Sequence, residues 1–170
     1  PDQIDLELLG ENQVRLNVGK EYLAYARENE LDTLLDFGFV KNAFVIDAVA
    51  DALTDAGLTG AVLTSTDGFS RSLCQGSFGV NLLEATDSGC RQAAAAAYDG
   101  PRSVAALRAF PVDSGDALRF YTYEDGTVCP PVLDETTGLL TAANDNLVLF
   151  GDGSVGDLAL QTMQALSHWD

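Results

Sequence analysis

Basic residues are scarce in this chain. Nine lysines and arginines stand against 26 aspartates and glutamates over 170 residues, a net charge of −17. Such a field repels phosphate backbones and anionic membranes, so nucleic acid is excluded as a natural partner. An anionic cofactor would need a metal ion, backbone N–H groups or one of the few basic side chains. The single histidine, His168, lies two residues from the end, and no serine or cysteine sits in a nucleophile motif. A catalytic triad is therefore unsupported. Cys74, Cys90 and Cys129 are far apart and lack CxxC spacing, which indicates neither a disulfide framework nor a zinc site. Buried free thiols are expected. No apolar run is long enough to span a bilayer. A Walker A pattern is missing as well. The opening PDQIDLELLGE has neither the basic nor the apolar region of a signal peptide. It begins at Pro1 rather than Met, which is compatible with a processed, extracytoplasmic product and leaves the compartment open.

What is present is a globular composition, 46% apolar and 21% charged, with a length that suggests one domain over 1–170. The central stretch is Leu35 to Leu58, LDFGFVKNAFVIDAVADALTDAGL. From Ala43 to Ala56 it has no Pro or Gly. Val45, Val49, Ala52 and Leu53 recur at helical spacing, and this predicts an inward face. Asp47, Asp51 and Asp55 recur every fourth residue as a carboxylate stripe. In so acidic a chain the stripe reads first as a solvated face, although a metal ion could offset its repulsion. Gly57 and Gly60 are stop signals.

Residues 4–9 and 13–18 read as two strands around a Gly10-Glu11-Asn12 turn. Lys20 to Leu35 reads as a helix with Leu23, Ala26 and Leu31 inward. Gly60 to Thr64 reads as a buried strand and Thr66-Asp67-Gly68 as a turn, of a kind that can also bind an anion. Ser70–Cys74 and Ser77–Leu83 read as two further strands. Ser88 to Tyr98, with its run of alanines, has strong helix propensity and is predicted to be helical, ended by Asp99-Gly100-Pro101. Arg102–Phe110 is ambiguous. Ala117–Tyr123 and Asn146–Phe150 read as strands, Pro130-Pro131 as an irregular segment, and Asp134–Gly138 as a polar turn. Asp157–Trp169 is the last helix, with Leu158, Thr162, Ala165 and Trp169 inward and Leu166 beside them. Ser154 and Asp157 have the spacing of an N-cap and its N3 acid. A carboxylate there also suits Mg²⁺ on a diphosphate. The interspersed elements predict an α+β protein with a mixed, largely antiparallel sheet and packed helices.

Several blocks, in order, resemble the ApbE family of FAD:protein FMN transferases. LDFGFVKNAFVIDAVADALTDAG is similar to that family's "DLGGIAKGYAVD" helix. GAVLTSTDGFSRSL is similar to the following strand and "LGGxIRAL" turn, and GSFGVNL to the "PWRVGI" strand. FYTYEDGTVCPPVLDETTG resembles "dGkxYhHIIDPrTG", and NLVLFGDGSVGDLALQTMQAL resembles "VTViaxxaxxADALATALxxLG". The likeness covers roughly 35–166, and the family's N-terminal half has no counterpart here.

The resemblance implies an ApbE-like (T-fold-like) domain that binds FAD, uses Mg²⁺ at the diphosphate and attaches FMN to a flavoprotein acceptor. It points to Lys41, Asn42, Asp47, Gly68, Arg71 and Thr137 as cofactor-binding positions, and to Asp157 with Thr162 as the metal pair. Asp36, Gly38, Asp134 and Gly138 also keep family positions. No catalytic residue is assigned. The departures fall on chemistry. The family lysine is Asn42, beside Lys41; neighbouring glycines are Phe39 and Ala43. The first glycine of the "LGG" turn is Asp67, and the histidine before "IIDP" is Pro131. The metal-associated threonine is Gln161, next to Thr162, and Ala106-Leu107-Arg108 replaces the "TSG" segment. Three readings result: a flavin-binding domain with weak or lost transferase activity, an active Mg²⁺-dependent transferase with re-sited residues, and a non-catalytic scaffold completed by another subunit or a second copy.

Overall fold

The computed structural model describes residues 3–10, 13–31, 40–87, 89–126, 128–130, 132, 142 and 144–167. The chain divides into two compact units, Pro1–Asp36 and Phe37–Asp170.

The first unit pairs strand β1 (Ile4–Gly10) with β2 (Gln13–Val18), followed by helix α1 (Lys20–Glu28). The pairing Ile4↔Val18, Leu6↔Leu16 and Leu8↔Val14 puts six apolar side chains on one face. On the other face Arg15 bonds Glu7 at 2.9 Å and Asn17 bonds Asp5 at 3.2 Å. Helix α1 is shorter than its composition predicts. Glu30, at φ 55°, turns the chain left-handed, and the Leu31 N–H returns to the Ala26 carbonyl at 2.8 Å. That closure ends the helix and leaves Leu31 exposed, with Ala26 buried.

The second unit is built on an antiparallel sheet of order β3-β4-β5-β8, formed by Val62–Thr64, Phe69–Thr86, Gly89–Arg108 and Asn146–Gly151. A single turn of 3₁₀ helix, Asp116–Arg119, and the short pair β6 (Tyr121–Thr122) and β7 (Val128–Cys129) lie between β5 and β8. Helices α2 (Lys41–Asp55) and α3 (Val155–Ser167) pack on the sheet. Phe69, Ala105, Leu107, Ala43, Ile46, Val155, Leu158 and Leu166 form the core between them. The whole is mixed α and β with antiparallel sheets and three helices among the described residues. None of those helices is long and apolar enough to cross a membrane.

Several expectations are corrected. The alanine run is not helical: Ala94, Ala95, Ala96 and Ala97 pair with Leu82, Asn81, Val80 and Gly79 inside one long hairpin. Isolated helices of this length are marginal, and a helix of alanines has only methyl groups to bury against a core. The ladder with β4 gives a partner to the backbone groups that face it, and this tertiary pairing outweighs propensities of a few tenths of a kcal/mol per residue. Accordingly, Asp99-Gly100-Pro101 interrupts nothing, and β5 continues through it to Arg108. The two strands read at 70–83 are one strand with register shifts at Ser72/Gly76 and Leu82/Leu83. Ala117–Tyr123 is a 3₁₀ turn running into a two-residue strand, because Asp113 accepts the Asp116 N–H at 2.8 Å and tightens the chain there. Of the cysteines, all free, only Cys129 is buried.

Helix α2 has the predicted period but another phase. Ala43, Ile46 and Ala50 face the core, while Val45 and Val49 are exposed. It ends as expected at Gly57, whose φ of 75° lets the Leu58 N–H reach the Leu53 carbonyl at 2.9 Å. In α3, Leu158, Thr162 and Leu166 are buried as anticipated, and Trp169 lies outside the described residues.

A strand at Ala95 and a helix there respond oppositely to branching. We expect Ala95→Val to raise stability by a few tenths to about 1 kcal/mol, where a helix would lose about 0.5 kcal/mol. The midpoint of urea unfolding measures the sign.

Candidate functional site

Two convergences of polar groups stand out in the second unit. The first is at the start of α3. Its opening donors have no intrahelical acceptors and need others. Ser154 supplies two: its Oγ accepts the Asp157 N–H at 2.9 Å, and its carbonyl accepts the Leu158 N–H at 3.3 Å. Asp47, from the middle of α2, supplies the rest. Its Oδ1 and Oδ2 accept the Val155 and Gly156 N–H groups, each at 2.8 Å. Arg71, from β4, donates to the same Oδ1 at 2.9 Å and approaches Asp51 at 3.6 Å. The ring of Phe44 lies over Gly156, where a Cβ would come within 2.6 Å of it. Thus Asp47 is not part of a solvated stripe: its side chain is only 14% exposed, against 72% for Asp51.

The second convergence surrounds the turn after β3. Gly68, at φ 98°, passes so close to β5 that a Cβ would lie 2.0 Å from the Ala106 carbonyl oxygen. Beside it Asp67 is buried. Its Oδ2 accepts from Asn42 Nδ2 at 2.8 Å, and its Oδ1 has no hydrogen-bond donor among the described residues. Asp116, also buried, gathers the far side: Oδ2 accepts from Arg108 at 3.0 Å and from the Val112 N–H at 2.9 Å, while Arg119 pairs with Oδ1. Arg108 Nε is buried and has no hydrogen-bond partner among the described residues. Burial pulls the Arg108 guanidinium below its ordinary pKa, opposed by Cys90 and Asp113. Burial lowers Arg119 too, with Asp67 pulling the other way. Apart from this cluster, the Tyr123 phenol is pushed up, first by its hydrogen bond with Cys129.

Three cavities meet around this turn. One of about 10 Å³ lies among Asp67, Arg108, Asp116 and Arg119. Another of about 540 Å³ shares Asp116 and Arg119 and adds Thr66, Val112 and Asp113. The third, of about 250 Å³, runs between the turn and the β4–β5 hairpin.

Chemically, then, the structure joins Asp47 to Arg71 and Asn42 to Asp67, and holds Gly68 beside them. Lys41 is exposed at the start of α2. Thr137, Asp134, Gly138 and Pro131 lie outside the described residues, as does His168. Asp157 is exposed, whereas Thr162 is fully buried and donates to the Leu158 carbonyl at 2.7 Å. A shared ion would require Thr162 to leave that bond. Among the described residues no three of His, Cys, Asp and Glu gather as a metal-binding group. Sequence reasoning missed Arg108, Asp116 and Arg119. The available signal was Asp113-Ser114-Gly115-Asp116, a turn-forming run in which an aspartate caps its own loop.

Known families, curated proteins and solved structures offer no match to this chain.

Truncating Asp47 would strand two helix-capping N–H groups and the Arg71 guanidinium together. We expect Asp47→Ala to cost about 2–4 kcal/mol and Asp47→Asn, which keeps one acceptor oxygen, about half as much. Equilibrium urea unfolding of both variants checks the order.

Proposed function

We propose that this chain is a divergent ApbE-like domain that no longer transfers FMN and serves as a non-catalytic scaffold. The observation that carries the reading is the Asn42–Asp67 hydrogen bond. These are the two positions where the resemblance expects a lysine and a glycine, and the structure places them against each other. A cation and an open backbone have been exchanged for an amide and a buried carboxylate. The exchange is coupled, since the amide is the one hydrogen-bond donor that Asp67 has among the described residues.

Such a turn does not fit an anionic flavin. Asp67 adds a buried negative charge with Asn42 as its one hydrogen-bond donor among the described residues, and like charges at short range repel an approaching phosphate. The N-terminus of α3 is the other natural anion site. It is already filled by the chain's own Asp47 carboxylate. Binding of FAD or Mg²⁺, and hence the use of a flavoprotein acceptor, belongs to the rival reading, in which Asp157 and Thr162 hold the metal.

The two readings separate in a calorimetric titration with FAD, with and without Mg²⁺. The wild-type chain is expected to give no Mg²⁺-dependent binding. The double variant Asn42→Lys/Asp67→Gly, which reinstates the family pattern, is expected to gain affinity for FAD by tenfold or more, on the order of 1.4 kcal/mol. Mg²⁺-dependent binding to the wild type that disappears in Asp157→Ala would overturn the proposal.

A further inference from the structure

The clearest apolar period of α2 faces outward. Val45, Ala48, Val49 and Ala52 are all exposed, and Phe44 beside them is 48% exposed despite its contact with Gly156. On α3, Leu160 stands one helical turn beyond Gly156 and is 46% exposed. Apolar residues scattered over a surface are ordinary, but these form one contiguous stripe. Helix α2 also buries Ala43, Ile46 and Ala50 on its other side. A helix that is apolar on two opposite sides is built for two neighbours, and the described residues of its unit cover only one side.

The ends of the stripe carry charge. Lys41, Val45, Ala48, Ala52 and Asp55 fall at alternating spacings of four and three residues, the seam of a two-helix coiled coil. Neither Lys41 nor Asp55 has an ion-pair partner among the described residues. Both also stand at the less favourable end of the helix. The first turn of α2 holds no acid and its last turn no base, whereas α3 opens with Asp157. A lysine at the positive N-terminal end and an aspartate at the negative C-terminal end each oppose the helix dipole.

An antiparallel second copy of the same helix answers both features. The seam reads alike in reverse about Ala48: Lys41 meets the second copy's Asp55, Val45 its Ala52, and Ala48 its own counterpart. A parallel copy would set lysine on lysine and aspartate on aspartate. An uncharged apolar face, such as that of the β1–β2 hairpin, would leave both charges without a partner. Alanines at the centre let two helix axes approach to about 8 Å, the short end of the packing range.

We propose that α2 is a two-fold interface through which two copies of this chain pair antiparallel, with Lys41 and Asp55 as reciprocal ion pairs at its ends. The inference rests on the surface of α2 alone, and the FAD titration tests the scaffold reading whichever way the pairing comes out. One helix and the edge of another make an interface at the small end of the specific range, so a dissociation constant of about 10–100 μM is expected. The net charge of −17 opposes association, and at about 0.15 M salt that repulsion is screened beyond about 8 Å.

Sedimentation equilibrium of the full chain, over concentrations spanning that constant, tests the proposal. Ala48→Glu keeps a good helix former at an exposed position and sets two carboxylates across the two-fold axis, so it should weaken association by about tenfold or more. Lys41→Asp and Asp55→Lys should each weaken it by about fivefold, because symmetry counts every change twice. The double variant Lys41→Asp/Asp55→Lys should restore it. Both single changes suit the helix dipole, so unfolding midpoints measured well below the dissociation constant should not fall. A chain that stays monomeric throughout, an Ala48→Glu variant that associates like wild type, or a double variant no better than the singles would each overturn the proposal.

Discussion

Everything in the second unit hangs on one carboxylate. Asp47 reaches from α2 to the first turn of α3 and takes up two N–H groups that the helix cannot satisfy itself, while Arg71 neutralises it from β4. Three elements far apart in sequence are tied at one point. The tie also sets how α2 is rotated. With Asp47 aimed at α3, the residues one turn before and after it on the sheet side are Ala43 and Ala50, small enough for close approach. Val45 and Val49 are thereby turned outward.

A second carboxylate does similar work at lower symmetry. Asp116 organises the loop after β5 by collecting Arg108, Arg119 and the Val112 N–H. Asp67, close by, has one hydrogen-bond donor among the described residues, Asn42. Removing a buried charge from water is costly unless it is paired, so an incompletely bonded Asp67 marks a place where the fold tolerates expense. In a chain so acidic, the nine cations are a limited resource. The structure commits Arg71, Arg108 and Arg119 to internal carboxylates, which leaves little positive charge for an anionic cofactor.

How much of this could be read in advance varies by element. The amphipathic hairpin, the end of α2 at Gly57 and the Ser154 cap of α3 were legible because each depends on residues within a few positions of one another. The alanine run was not. Its local preference points to a helix, and only the pairing with Gly79–Leu82 decides for a strand. Among the site residues, a stripe of aspartates could not say which member would be buried. The partners of Asp47 are 24 and 108 or more positions away. The Asn42–Asp67 bond spans 25 positions and is equally out of reach, although both residues depart from the family pattern that the sequence resembles.

By itself, then, the sequence determined the α+β class, the bounds of the first hairpin, of α2 and of β8, and the predominance of negative charge, because these follow from residue type and short-range spacing. Tertiary structure alone decided the phase of α2, the strand at Ala94–Ala97, and which few carboxylates and guanidiniums meet. Those outcomes rest on which groups remain unsatisfied when distant elements come together. Hydrogen-bond acceptors for a bare helix end, or a ladder for an open strand edge, exist only once the partner is in place.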